Sequence, residues 1–132
     1  MANPVTLVSG AIPAQGTYVT EAYHTGRKAR YLAIQSNFVR TSGGTSLDVY
    51  IQTSLDEGTT WADVMNFSFA TTTVRKVSAV VLTTALAANV TPTDGAITAN
   101  TILSGLLGTK IRVKYVAVGT YVGTLRVDAV LR

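Results

Sequence analysis

The chain has no cysteine, one histidine and one tryptophan in 132 residues, and only 14% of its residues are charged. Without cysteine there is no disulfide framework and no thiolate chemistry, which fits a reducing compartment. The single histidine, His24, stands beside Tyr23 and ahead of Thr25-Gly26. A lone imidazole with no nearby carboxylate or thiol is not a metal site, and it reads as a surface or turn residue. A Ser-His-Asp triad would have to use it, and no Gly-x-Ser-x-Gly motif accompanies it. Phosphate loops and dinucleotide fingerprints are missing. No apolar run approaches the length of a bilayer span, and Met1-Ala2-Asn3-Pro4 does not read as the start of a secretory signal. The carboxylates are Glu21, Asp48, Asp56, Glu57, Asp63, Asp94 and Asp128. Most fall in turns or on strand positions that read as wet, which argues against a glycosidase pair. Asp56, Glu57 and Asp63 do not follow the spacing of an EF-hand calcium loop. The expectation is a chain with no catalytic residues, no cofactor and no metal.

The low charge has a second consequence. Soluble domains carry about 25% charged residues, so Thr, Ser, Gly and Ala must cover much of this surface. Such a surface suits packing against a partner. Net charge is +4, and the basic residues are scattered. Lys110, Arg112 and Lys114 form the one ordered row, at i, i+2 and i+4, and share one face if the segment is a strand. That row reads as a solvated face, or as a contact face for an acidic partner or a phosphate backbone. No aromatics interleave with it, so nucleic acid is not expected as the principal partner.

What is present is period-two alternation. Leu47, Val49 and Ile51 alternate with Asp48, Tyr50 and Gln52. Ile111, Val113 and Tyr115 alternate with Arg112 and Lys114, and Leu125, Val127, Ala129 and Leu131 alternate with Arg126 and Asp128. Strands with one buried and one wet face give this pattern. About eight strands are expected, near 5–8, 17–24, 29–40, 46–54, 61–70, 73–82, 109–118 and 121–132. Thr25-Gly26 and Ser42-Gly43-Gly44 read as loops, and Gly119-Thr120 reads as a tight hairpin. The fold class is all-β: a single-domain antiparallel β-sandwich or jelly roll closed over one core.

Two stretches depart from the pattern. Residues 83–108 are small, apolar and without period, a connection longer than compact domains usually hold. A short strand near 96–99 or a helical turn near 102–107 would fit there, and the stretch should pack on its own sheet or on a neighbouring subunit. Residues 1–16 read as an N-terminal arm, leaving 17–132 as the sandwich domain.

The most specific motif is Ser54-Leu55-Asp56-Glu57-Gly58-Thr59-Thr60-Trp61. It resembles the Asp-box, S-x-D-x-G-x-T-W, at every defined position. Asp56 should accept backbone N–H groups of the turn, Gly58 should supply a positive φ, Ser54 should tie the start and Trp61 should anchor the next strand. The Asp-box is best known from sialidases and related propellers, where it recurs away from the catalytic centre. One copy in a chain this short implies a rigid hairpin, not an activity.

A wider resemblance starts from Leu47 to Ser54, the Asp-box and Ala62-Asp63-Val64, followed by Lys110-Ile111-Arg112-Val113-Lys114-Tyr115 and the closing segment Leu125 to Leu131. Together these are similar to small structural proteins of tailed bacteriophages, in which a closing hairpin follows an Asp-box hairpin. The resemblance implies a capsid decoration (cement) protein or a small head or tail accessory protein. The partners would be a major capsid protein or another virion protein and further copies of the chain, as an oligomer such as a trimer. The location would be the virion, assembled in the host cytoplasm without membrane contact. The competing expectation is a carbohydrate-binding or receptor-binding β-sandwich. Three tyrosines on one flat exposed face, drawn from Tyr18, Tyr23, Tyr31, Tyr50, Tyr115 and Tyr121, would favour it.

Overall fold

A computed structural model of the chain describes residues 4–26, 29–83 and 85–132. Nine strands run through them: β1 (Val5–Ala11), β2 (Gly16–Val19), β3 (Tyr23–His24), β4 (Tyr31–Gly43), β5 (Ser46–Ser54), β6 (Ala62–Phe69), β7 (Val74–Val81), β8 (Lys110–Val118) and β9 (Tyr121–Leu131). No described residue is helical, and no helix is long and apolar enough to cross a membrane.

Every strand pair is antiparallel. Sheet I has the order β1-β9-β4-β7, and sheet II the order β2-β8-β5-β6 with β3 also on β8. The pairings nest from the ends of the chain toward its middle: β1 with β9, β2 with β8, β4 with β7, β5 with β6. Two joins, β9 to β4 and β8 to β5, complete the sheets. This is a hairpin rolled up on itself, the arrangement of a jelly roll. The protein is a single-domain all-β sandwich of that order.

Alternation places the core. Leu32, Ile34 and Phe38 of β4 and Leu125, Val127 and Ala129 of β9 point inward from sheet I. Leu47, Val49 and Ile51 of β5 and Ile111 and Val113 of β8 meet them from sheet II. At one end Phe38 stacks on Phe69 with ring centroids 4.9 Å apart, and Tyr121 meets Phe38 edge-on at 5.4 Å. The Tyr121 hydroxyl leaves the core to donate to the Ala70 carbonyl at 2.6 Å. Truncating such a buried ring costs about 3–5 kcal/mol.

The structure corrects several expectations. Of the stretch read as an N-terminal arm at 1–16, residues 1–3 lie outside the described residues, and Val5–Ala11 pairs with β9 and forms the edge of sheet I, where a bulge at Leu7 lets Leu7 and Val8 both pack against the core. The sandwich therefore begins at β1. Gly119-Thr120 does not close a hairpin. β8 lies in sheet II and β9 in sheet I, so this link turns the corner between layers. Gly119 takes a φ of 77°, which favours glycine, and lies close enough to Gly44 and Thr45 that a side chain would crowd their backbone. The segment read as 17–24 divides into β2 and β3, and β4 extends through the Gly43 that read as loop. In 83–108 neither a strand at 96–99 nor a helical turn at 102–107 forms. One isolated bridge, Met65 to Ile102, stands there instead.

Among the described residues, one buried side-chain group has no partner. Ser36 lies on β4 between the inward positions of Ile34 and Phe38, fully buried, and its hydroxyl makes no hydrogen bond. A buried polar atom left without a partner costs about 1–3 kcal/mol. Ser36→Ala is therefore expected to raise stability by about 1 kcal/mol in urea unfolding. A clear loss instead would mean that the hydroxyl is bonded in solution.

Candidate functional site

The Asp-box hairpin forms as its residues dictate. β5 and β6 pair on either side of it. The Ser54 hydroxyl donates to Asp56 Oδ1 at 2.8 Å and accepts the Gly58 N–H at 2.8 Å. Asp56 accepts the Thr60 N–H through Oδ1 at 2.8 Å and the Thr60 hydroxyl through Oδ2 at 2.6 Å. Gly58 has a φ of 96°, and Glu57 before it is also left-handed at 58°. Donation from the Thr60 side chain, then from its N–H and from Ser54, holds the Asp56 carboxyl down at about 2. Trp61 leaves the turn with the Arg112 guanidinium 4.3 Å from its ring centroid. That is cation–π range.

The neighbouring carboxylate matters more. Strict alternation would place Asp63 on the same face of β6 as Met65, in the core. A bulge prevents this. Ile51 pairs with Met65 but Gln52 pairs with Asp63, so Val64 is the extra residue. The bulge keeps Val64 in the core and turns Asp63 to the outer face of sheet II, opposite Gln52. Even so, Asp63 is only 2% exposed and Gln52 is fully buried. The connection 82–109 covers them.

Asp63 holds that connection down. Its carboxylate accepts the Thr93 hydroxyl at 2.8 Å and the backbone N–H groups of Gly95 at 2.8 Å, Ala96 at 2.9 Å and Ile97 at 3.1 Å. Gln52 Nε2 donates to Asp63 Oδ1 at 2.8 Å and to Asp94 Oδ1 at 2.6 Å, while Gln52 Oε1 accepts Arg112 Nε at 2.7 Å. Lys114 Nζ closes the network on Asp94 at 3.1 Å, with Arg112 at 3.7 Å. Burial pushes the Asp63 pKa up, but the Ala96 N–H, the Gln52 amide, the Gly95 N–H and the Thr93 hydroxyl together hold it below the ordinary carboxylate value. Donation from Gln52 lowers Asp94 against a smaller effect of burial, with Lys114 and Arg112 adding to it.

The rest of the connection follows the open edge of β6. Asp63 N–H donates to the Thr93 carbonyl, Asn66 N–H to Thr101, and Leu103 N–H to Val64. Asn66 accepts the Asn100 N–H, and Asn100 accepts the Ser68 N–H and Lys76 Nζ. Ser104 then accepts the Val81 N–H, which ties the same connection to β7 of sheet I. Of the two packings open for 83–108, the described residues pack on their own sheets. This also helps to explain why β5 lacks the expected wet face: Tyr50 and Gln52 point outward and are both buried, Gln52 beneath the connection.

The candidate site residues fall as follows. Ser54, Asp56, Gly58 and Thr60 build one turn, and Trp61 joins it to the Asp63 network through Arg112. Lys110, Arg112 and Lys114 do share a face of β8, but Arg112 and Lys114 are engaged with Asp94, Gln52 and Trp61. The row is largely tied internally rather than free for a partner. The alternation did not single out Gln52, Asp94 or Asn66. The sequence signal available was Asp94-Gly95, a turn pair inside a long apolar connection.

Of the six tyrosines, Tyr50 and Tyr121 are buried, and Tyr18 stacks on Tyr115 at 5.4 Å. Tyr23, at 40% exposure, is the most open, so no flat face of three exposed tyrosines forms. A cleft of about 670 Å³ lies between the Asp-box turn and the connection, walled by Leu55, Trp61, Leu86, Val90, Leu103 and Leu106. His24 lies exposed on β3, and no three His, Cys, Asp or Glu side chains cluster among the described residues. Comparison of the chain with protein-family models, curated proteins and solved structures finds no match.

Two outcomes test this network. Asp63→Asn removes the charge and one acceptor oxygen, so it should cost about 3 kcal/mol of stability and make 85–100 the first segment cut in limited proteolysis. An unchanged cleavage pattern would contradict the anchoring role. Asp56, Asp63 and Asp94 all have lowered pKa values when folded, so their stabilisation is complete above the ordinary carboxylate range and is lost as pH falls through the lowered values. The thermal midpoint should hold from neutral pH to about 5 and then fall between about 4 and about 2, less steeply in Asp63→Asn.

Proposed function

We propose that this chain is a non-enzymatic structural protein of a virion, a capsid decoration protein that braces a major capsid lattice through protein–protein contacts. The observation that carries the reading is the outer face of sheet I. Its outward positions hold Tyr31 and Ala33 of β4, Val77 and Ala79 of β7 and Val130 of β9, around a shallow depression of about 570 Å³. Val77 is 67% exposed. A broad face with an apolar floor of this kind suits the centre of a protein interface.

Two further features support the reading. Asp56, Asp63, Asp94, Arg112 and Lys114 all hold the fold together, an arrangement that serves rigidity. The jelly-roll order is shared by viral capsid and lectin domains, which is compatible with the proposal but does not by itself give a function. On a symmetric shell each copy would add buried area across a seam between capsid subunits. Binding only the assembled shell would stabilise it by mass action, and repetition, with self-association such as a trimer, would add avidity.

Carbohydrate binding is the weaker reading. Its support is Trp61 at the cleft by the Asp-box, but the walls of that cleft are mainly aliphatic. The test is to mix the purified chain with heads of the encoding phage assembled without it. Saturable co-sedimentation and a higher temperature of head disruption are expected. No pelleting, together with binding to a glycan array, would reverse the two readings.

A further inference from the structure

The charged residues are divided unequally between the two sheets. Among the described residues, sheet I and its ends carry Arg30, Arg40, Arg75, Lys76, Arg126 and Arg132 against one carboxylate, Asp128. Sheet II and its loops carry Glu21, Asp48, Asp56, Glu57, Asp63 and Asp94 against three bases on β8. The coverage is also unequal. The connection 82–109 lies over the β5 and β6 side of sheet II, while no segment of the described chain crosses the outer face of sheet I.

The register shows what that bare face presents. Asn37 of β4 pairs with Arg75 of β7 on one side and with Arg126 of β9 on the other. Two exposed arginines therefore flank it, about 10 Å apart at the usual strand spacing. In the next row Gln35 lies between Asp128 and Val77, and in the row after that Ala33 lies between Val130 and Ala79. Beyond them Tyr31 lies with the Arg132 guanidinium 6.0 Å from its ring centroid. Arg75 donates to Gln35 at 3.0 Å, and Arg126 pairs with Asp128 at 3.0 Å, so both guanidinium groups are held low over the sheet with donors left over.

We infer that the outer face of sheet I is the docking surface, and that it takes a protein surface with an apolar centre and carboxylates at its rim. This rests on the decoration reading and adds orientation: sheet I faces the lattice, while the Asp-box and the 82–109 connection face away. Charge complementarity selects an acidic partner. The small apolar floor of Ala33, Ala79 and Val130 selects a protein over a phosphate backbone, which would use a denser row of cations and no such floor. With four strands and a 13-residue β4, the face measures roughly 600 Å², somewhat below the ~800 Å² per partner of a standard interface. Repetition on a lattice makes up such a deficit.

The test uses the full chain and heads assembled without it. Arg75→Ala with Arg126→Ala lowers the net charge by two, and Ala33→Arg fills the floor while keeping the sign of the charge. Ala88→Glu with Ala99→Glu changes the net charge as the arginine pair does, but on the exposed 82–109 connection. Thermal unfolding of all three alongside the parent confirms that they fold. The sheet I variants should bind heads about tenfold more weakly, the connection variant should bind like the parent, and parental binding should weaken as salt rises. Equal binding by all of them would overturn the inference and leave the decoration reading intact. Failure of the parent itself to bind would overturn both. Competition by duplex DNA would overturn the protein partner in favour of nucleic acid.

Discussion

A carboxylate buried on the wrong side of a sheet organises this molecule. Asp63 faces away from the core yet is shielded from water, and a buried charge is tolerated only where hydrogen bonds replace its hydration. Here they come from Thr93, Gly95, Ala96 and Ile97, and from Gln52 across the strand pair. The dependence is mutual. Without Asp63 those backbone N–H groups would lose their shared acceptor, and without the connection Asp63 would lose the donors that replace its hydration. A segment lacking regular secondary structure thereby becomes a third layer over part of sheet II.

That layer accounts for features that are otherwise unrelated. It covers the open edge of β6, which would be a template for unwanted strand pairing. It is tied through Ser104 to β7, so it also closes the gap between the two sheets on that side. Near its end Gly108 passes against the Ser54 backbone so closely that a Cβ would strike the Ser54 carbonyl, which brings the connection against the Asp-box turn. The same layer uses the charges of β8 and leaves sheet I as the sheet with an open face.

Local features were legible in the sequence. The bounds of β5 follow from its alternation, and the Asp-box hairpin follows from Ser54, Asp56, Gly58 and Thr60, whose partners lie within a few residues. The Asp63 network was not legible for two reasons. The bulge at Val64 shifts the alternation by one residue, and the donors to Asp63 lie some thirty residues further along the chain. The corner at Gly119-Thr120 reads as a hairpin because two adjacent alternating strands look the same in sequence whether they pair or cross between sheets. The rolled order of the strands is likewise set by pairings between the ends of the chain, such as β1 with β9, which no local pattern reports.

The role of Asp63 is most directly tested by native-state hydrogen exchange at Gly95, Ala96 and Ile97. These amides lie in a connection without helix or strand, where exchange is ordinarily close to that of an open chain. If Asp63 anchors the layer, they exchange as slowly as the amides of β6, and they lose that protection together in Asp63→Asn. Fast exchange at all three in the parent chain would contradict the account.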